Sequence, residues 1–438
     1  MKNKLLILAF FFSLIISAQE TNNFSLDEAI EYAIENSYQN RTASNDIKAA
    51  EKRKWETTTI GLPQIDAKID YINNLKQQFP GVDFNQDGVV DFGAKQSITG
   101  TATLRQLLFD GSYLVGLQAA KTYLKISNQA KEKTELSTRE AVINVYGNIL
   151  VTEKLIEIIL RNKKVNDRLL KGARIGYENG LAEQEDVEQF EITEGTIESS
   201  IKNANRMKEI AYQMLNLTMG KEIDAKLTLT NTLDDLILTN TDLNLLAQDF
   251  DLNNHIDFKI AENTKESNRL LMQLERSKAL PSLSAFINYS KIANSESFTF
   301  SNSSQNWIPT SVFGVSLNVP VFSSLGRSAR TAQAKIALDN SDIQLEETKQ
   351  RLNLQAQQAQ SNYQLSIENY EIAKKNLNLA ERIESKQQIK FKEGVSTSYE
   401  LLQSQNQLYS QQNNYVQAML NIIANKAKLE NALNIPIK

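Results

Sequence analysis

The chain has 438 residues with one histidine and no cysteine, which excludes disulfides, thiolate metal sites, a cysteine nucleophile and a lipid-modified cysteine anchor. Its 48 basic and 52 acidic side chains leave a formal net charge of −4, the wrong sign for a nucleic-acid partner, which needs a clustered basic surface. Mean hydropathy is −0.38 and no run of eighteen apolar residues occurs, so a bundle of membrane helices is excluded, whereas a membrane β-barrel, whose signal per segment is weak, is not.

In chain order, Lys2 and Lys4 precede an apolar run from Leu5 to Ile16 and then Ser17-Ala18. That pattern predicts a secretory signal over residues 1–18, too short to span a bilayer, and hence an exported protein. Helix formers without proline then fill Leu26 to about Thr59, one predicted helix. Alternation takes over from about Pro63 to Asn73, with Ile65, Ala67, Ile69 and Tyr71 on one face and Gln64, Asp66, Lys68 and Asp70 on the other. A second alternating segment runs from about Ser97 to Phe109, and both read as strands with one apolar face.

Between these strands lies Asp83-Phe84-Asn85-Gln86-Asp87-Gly88-Val89-Val90-Asp91. Oxygen ligands at Asp83, Asn85, Asp87 and Asp91, with Gly88 at the sharp turn, match the first nine positions of a calcium loop. Ala94 stands where the bidentate carboxylate of position twelve belongs, so a plain polar loop is the alternative to calcium, the only cofactor the chain suggests.

Helix formers resume from Gly111 to about Gly172 and from Ala182 to Met219. Residues 221–251 lack long periodicity and are rich in threonine and asparagine, which predicts a linker with a short strand and helix. The lone histidine, His255 beside Asn254 and Asp257, reads as a surface or capping residue. Leu252 to Ala279 is a further helix, followed by strands at about 281–292 and 311–322, the latter with Phe313, Val315, Leu317, Val319 and Val321 on one face. Long helices over Gly326 to about Lys392 and Ser398 to Leu433 complete the chain, their sparse apolar positions suiting a coiled-coil seam with a wet face.

Two halves repeat this order. Leu62-Pro63-Gln64-Ile65-Asp66-Ala67-Lys68-Ile69-Asp70-Tyr71 returns as Leu280-Pro281-Ser282-Leu283-Ser284-Ala285-Phe286-Ile287-Asn288-Tyr289, and Tyr177-Glu178-Asn179-Gly180-Leu181 returns as Phe391-Lys392-Glu393-Gly394-Val395. The repeats are 19–220 and 252–438, joined by 221–251. Each strand is about long enough to cross a bilayer tilted. Four strands cannot close a barrel, and open edges are not tolerated in hydrocarbon. Two copies give eight strands, a barrel filled by side chains, whereas three give twelve, the smallest multiple of four that leaves an aqueous lumen.

Signal peptide, paired strands rooted at Leu-Pro, long helices, twofold repetition and a Gly-Leu or Gly-Val turn before each last helix together resemble the TolC-type outer-membrane efflux proteins. The resemblance implies an α+β membrane protein: a trimeric 12-stranded β-barrel, four strands per chain, continuous with a long periplasmic α-helical coiled-coil barrel. It implies an exit duct in the outer membrane of a Gram-negative bacterium, serving a tripartite efflux or type I secretion system. Its partners are then two further copies, outer-membrane lipid, a periplasmic adaptor and an inner-membrane pump of the RND or ABC type. A structural or adhesive coiled-coil protein of the envelope is the alternative.

The glycine turns at Asn179-Gly180-Leu181 and Glu393-Gly394-Val395 are helical hairpin turns on any reading. By the resemblance they are also the tip against which the adaptor packs. Just beyond them Asp186 and Glu400 occupy equivalent places, as do Gln189 and Gln403. Glu400, repeated around a threefold axis, makes an acidic ring that favours cations, or else it only complements a helix dipole. Where the family places a second acid one turn on, this chain has Gln403, and its frequent basic residue after the glycine is Ser396 here. No P-loop, nucleophile elbow or zinc-helix motif is present, so an enzyme is not expected.

Overall fold

The computed structural model describes residues 23–77, 81–83, 86 and 93–436; the signal peptide lies outside them. In chain order the elements are β1 (Asn23–Phe24), α1 (Leu26–Asn36), α2 (Tyr38–Thr59), β2 (Gln64–Asn73), β3 (Gln96–Phe109), α3 (Gly111–Glu178) and α4 (Gln184–Met219). They continue with β4 (Thr228–Leu229), α5 (Leu233–Asn240), α6 (Ile256–Ser277), β5 (Ser282–Ser295), β6 (Ile308–Asn318), α7 (Gly326–Lys392) and α8 (Ser398–Ala432), with short 3-10 turns at Leu243–Ala247 and Leu252–Asn254. From α2 to α4 and again from α6 to α8 the order is helix, two strands, long helix, shorter helix. The long helices have 68 and 67 residues.

Two compact units emerge. One holds Ser44–Ala130 and Asp257–Lys349, the other the residues up to Ala43, Lys131–Ile256 and those from Gln350 on. Both units therefore draw on both halves of the chain.

The first unit carries a four-stranded antiparallel sheet in the order β2-β3-β5-β6. Register aligns apolar residues across all four strands: Ile65 with Leu104, Leu104 with Ile287, and Ile287 with Phe313. Ala67, Ala102, Tyr289 and Ser311 form the next row on that face, and Ile69, Gly100, Lys291 and Pro309 the row after it. The opposite face is polar, with Asp66 beside Thr103 and Asn288, and Lys68 beside Thr101 and Ser290. Among the described residues nothing covers the middle of the apolar face: Ile69 is 78% and Phe313 70% exposed. No further strand among the described residues pairs with the outer edge of β2 or of β6.

The second unit has an ordinary buried core, built on Tyr146, Ile149, Leu215, Met219, Tyr363, Met419 and Ile422. The segment between the halves joins it through Leu233, Leu236 and Ile237 of α5. Its polar anchor is Tyr146, whose hydroxyl lies 3.0 Å from both the Phe24 carbonyl and Asn231 Oδ1. β1 and β4 form a short parallel pair.

Four expectations need correction. The single helix expected over Leu26 to Thr59 is broken at Ser37, whose ψ of 145° leaves the helical region while its N–H closes on the Ala33 carbonyl. Asn36 also bonds back to the Tyr32 carbonyl, the local competition by which Asn and Ser interrupt helices. The last strand runs over Ile308–Asn318 rather than 311–322, because its terminal pair, Ser282 with Asn318, is bounded by Pro281 on one strand and Pro320 beyond the other, and proline cannot donate to a ladder. The first long helix reaches Glu178 instead of stopping near Gly172. Finally, His255 does cap a turn, its N–H closing on the Leu252 carbonyl, but it is buried rather than at the surface, its ring edge-on to Phe250 with centroids 5.9 Å apart.

Candidate functional site

At the end of α3 the chain reverses through a left-handed Gly180 (φ +72°), and at the end of α7 through Gly394 (φ +73°). Both turns close identically. The Gly180 N–H donates to the Tyr177 carbonyl at 3.0 Å and the Leu181 N–H to the Gly176 carbonyl at 2.8 Å, while Gly394 donates to Phe391 at 3.0 Å and Val395 to Lys390 at 2.8 Å. This double closure satisfies the carbonyls a helix end leaves open, and it needs a residue that enters the left-handed region without strain. An apolar side chain following the glycine normally folds back on its own helix. Here Leu181 is 86% and Val395 75% exposed, so each turn presents an uncovered apolar tip. Asn179 adds a side-chain bond to the Ile175 carbonyl at 2.7 Å, and Glu393 beside Gly394 is exposed.

The helices that leave the turns start with capping boxes. In α8 the Glu400 N–H donates to Thr397 Oγ1 at 3.2 Å, and Glu400 Oε2 accepts from the Thr397 N–H at 3.2 Å and from Ser396 Oγ at 2.6 Å. The Ser396 hydroxyl, then the Thr397 amide, with Lys390 adding charge, hold the fully exposed Glu400 carboxyl below the usual glutamate range, against a small opposing effect of burial. Asp186 does the same work in α4, accepting from the Glu183 N–H at 3.2 Å. Of the four residues singled out as a gate, the two acids, Asp186 and Glu400, are thus the ones that cap the two helices. Gln403 is exposed on the next turn.

The two turns, 214 residues apart in sequence, are neighbours in space. Ser398 Oγ donates to Gln189 Oε1 at 3.3 Å. Beneath lies a small apolar cluster of Leu170, Ala173, Phe190 and Leu401, separate from the main core, with Phe391 edge-on to Phe190 at 6.0 Å. Deeper, Asn162 Nδ2 donates to Gln412 Oε1 at 2.9 Å, and buried Asn166 donates to the Phe190 carbonyl at 3.2 Å. The cluster was not anticipated, although the signal existed: the repeat sets Val187 on Leu401, and both pack here.

Of the calcium loop, Asn85, Asp87 and Asp91 lie outside the described residues. Among the described residues no three His, Cys, Asp or Glu side chains gather as a metal site, and no helix is long and apolar enough to cross a membrane.

Residues 251–434 match the outer membrane efflux protein family. This is a family of channels, not of enzymes, and the resemblance to the TolC-type proteins is borne out. The match falls on the second half of the chain. Solved structures extend the likeness to the whole of it. CusC, whose structures concern folding and transmembrane channel formation, superposes with a TM-score of 0.76 at 17% identity, covering 96% of this chain and 95% of that one. The outer membrane protein VceC of Vibrio cholerae gives 0.74 at 15%, covering 94% and 97%. The MtrE outer membrane channel of Neisseria gonorrhoeae, in its open state, gives 0.70 at 18%, covering 93% and 88%. At these identities what is shared is the fold of an outer-membrane channel protein with mixed α and β structure. No curated protein matches the chain by sequence at a significant level.

Proposed function

We propose that this protein is a passive exit duct: three copies join their sheets into a 12-stranded β-barrel across the outer membrane of a Gram-negative bacterium, continuous with a periplasmic barrel of helices. The observation that carries this reading is the sheet, with the uncovered middle of its apolar face and two outer edges unpaired among the described residues. A lone four-stranded sheet of that kind is stable neither in water nor in lipid. β2 of one copy laid antiparallel against β6 of the next pairs every edge, keeps the apolar rows outward and turns Asp66, Lys68, Asp70 and the threonine rows toward a wet lumen. Each copy then contributes its two tandem repeats, 19–220 and 252–438.

The exposed Leu181 and Val395 with Asn179, Gly180, Glu393 and Gly394 form the docking tip for a periplasmic adaptor, itself bound to an inner-membrane pump of the RND or ABC type in an efflux or type I secretion assembly. Glu400, with Asp186, Gln189 and Gln403, lines the aperture beside that tip. The exported molecule is driven by the pump, since the family supplies a channel and no catalyst.

Native mass spectrometry of the full-length protein extracted from membranes, with conductance recorded in planar bilayers, tests the duct. A trimer that conducts ions is expected, and a non-conducting monomer overturns the reading. In the same recordings Glu400→Gln lowers cation preference. Unchanged selectivity removes the gate assignment and leaves the duct standing.

A further inference from the structure

The lipid-side face of the sheet holds a single charge. On its rows among the described residues, running from Leu283 and Leu317 through Ile65, Leu104, Ile287 and Phe313 to Tyr71, Ile98 and Ala293, the only ionised side chain is Lys291. It is exposed, and among the described residues no acid pairs with it. The polar face behaves differently: Lys68 has its counter-ion in Asp70 at 2.9 Å. Lys291 stands between Gly100, where an added side-chain carbon meets nothing within 4 Å, and Pro309. One row toward the helices is the half-exposed Tyr289; toward the loops is Tyr71, edge-on to Phe298 at 6.0 Å. Alternation carried one residue beyond β6 puts Trp307 on this face as well.

Position along the strand decides what meets this lysine. From Leu283 to Lys291 the chain climbs about 26 Å at 3.3 Å per residue, or roughly 20 Å of height at the tilt of barrel strands, close to the top of an apolar band about 25 Å tall. A lysine facing hydrocarbon is strongly disfavoured at the midplane and nearly neutral at the interface, where its stem lies along apolar surface and its ammonium reaches the headgroups. Tyrosine and tryptophan mark the same level.

We propose that Lys291 anchors a binding site for a phosphate-bearing lipid of the outer leaflet, with the Tyr289 hydroxyl as a second donor and the gap over Gly100 receiving the headgroup. This rests on the reading that the sheet spans the outer membrane with its loops outward. The membrane supplies the counter-ion that the described residues do not.

The test uses the full-length protein with Trp55→Phe, leaving Trp307 as the one tryptophan of the two in the sequence. Quenching of Trp307 by brominated phosphatidylcholine in reconstituted bilayers first reports insertion; its absence overturns the outer-membrane reading and this site together. With insertion established, Trp307 emission is titrated with a bisphosphorylated diglucosamine glycolipid, with its dephosphorylated form, and with inorganic phosphate as competitor. Lys291→Gln is expected to weaken the phosphorylated glycolipid about fivefold, the effect of one basic residue near an anionic surface, with Lys291→Arg restoring it. The dephosphorylated lipid binds no better than the Gln variant does, and millimolar phosphate does not compete. Equal affinity for both lipids, or an unaffected Gln variant, overturns the site while leaving the barrel intact, and full competition by inorganic phosphate reassigns it to a free anion.

Discussion

Glu400 shows how much one side chain is asked to do at the tip. Its carboxylate closes a capping box on Thr397 and takes a hydroxyl from Ser396, so its negative charge and its geometry are separable by substitution. Glutamine keeps the reciprocal bonds of a capping box and alanine does not. Glu400→Ala is therefore expected to speed hydrogen exchange of the amides at the start of α8 severalfold, with Glu400→Gln close to the parent. Equal loss of protection in both would mean that charge, not capping, holds the turn. The sign of the pH effect follows from the lowered carboxyl. A group whose pKa falls on folding stabilises above its unfolded value and loses that contribution as pH drops through the folded one. Protection at the α8 start should thus hold at neutral pH and fade below about pH 4.5, and the Gln variant should show no such step. A second residue argues in the other direction. Gln405 is 1% exposed, and among the described residues neither end of its amide has a partner. An unpaired buried amide costs on the order of 1–3 kcal/mol, so Gln405→Met, similar in length and apolar, is expected to raise the denaturation midpoint. A lower midpoint would show that water or a neighbouring copy bonds the amide.

The hairpin is the element on which these residues act, and its small core stands apart from the main one. Phe190 is fully buried among Leu170, Ala173 and Leu401. Phe190→Ala should cost about 3–5 kcal/mol if measured locally, seen as collapsed exchange protection across the ends of α3 and α4 while the core around Tyr146 and Ile422 stays protected. Gly394→Ala makes a gentler contrast. Nothing lies within 4 Å of an added carbon there, so its penalty is backbone strain alone, on the order of 1–2 kcal/mol. At this scale the sequence was readable wherever a rule is local. Alternation placed β2 and β3 to within one residue, and the glycine turns fell where Asn179-Gly180 and Glu393-Gly394 stand. It was unreadable where two distant segments decide the outcome. Strand β6 starts early because Ile292 pairs with Ile308, a fact of β5 rather than of β6. His255 is buried because Phe250 covers it, and composition around a lone histidine carries no trace of that. The Phe190 cluster likewise joins both hairpins, so only the repeat hinted at it.

For the whole molecule, what distinguishes a membrane duct from any other envelope protein of long helices is which face of the sheet refuses a charge. Thr103 and Leu104 are adjacent on β3 and point to opposite faces; Thr103 lies across from Asp66, whereas Leu104 sits in the apolar row with Ile65 and Ile287. On the proposed duct reading, arginine at Leu104 faces hydrocarbon near the middle of the band and is expected to destabilise the reconstituted protein by about 2–4 kcal/mol. Thr103→Arg instead meets water and the carboxylate of Asp66, an opposite-charge pair across strands worth a fraction of a kcal/mol in its favour, and should leave stability within about 0.5 kcal/mol. Both variants are measured by denaturant unfolding from lipid vesicles, following the sheet signal and the trimer band together. A water-soluble fibre predicts the reverse, because there an arginine in place of exposed Ile or Leu relieves an apolar patch and improves solubility. One residue's shift along a strand thus separates the two readings, since the pleat turns neighbouring side chains to opposite faces of the sheet.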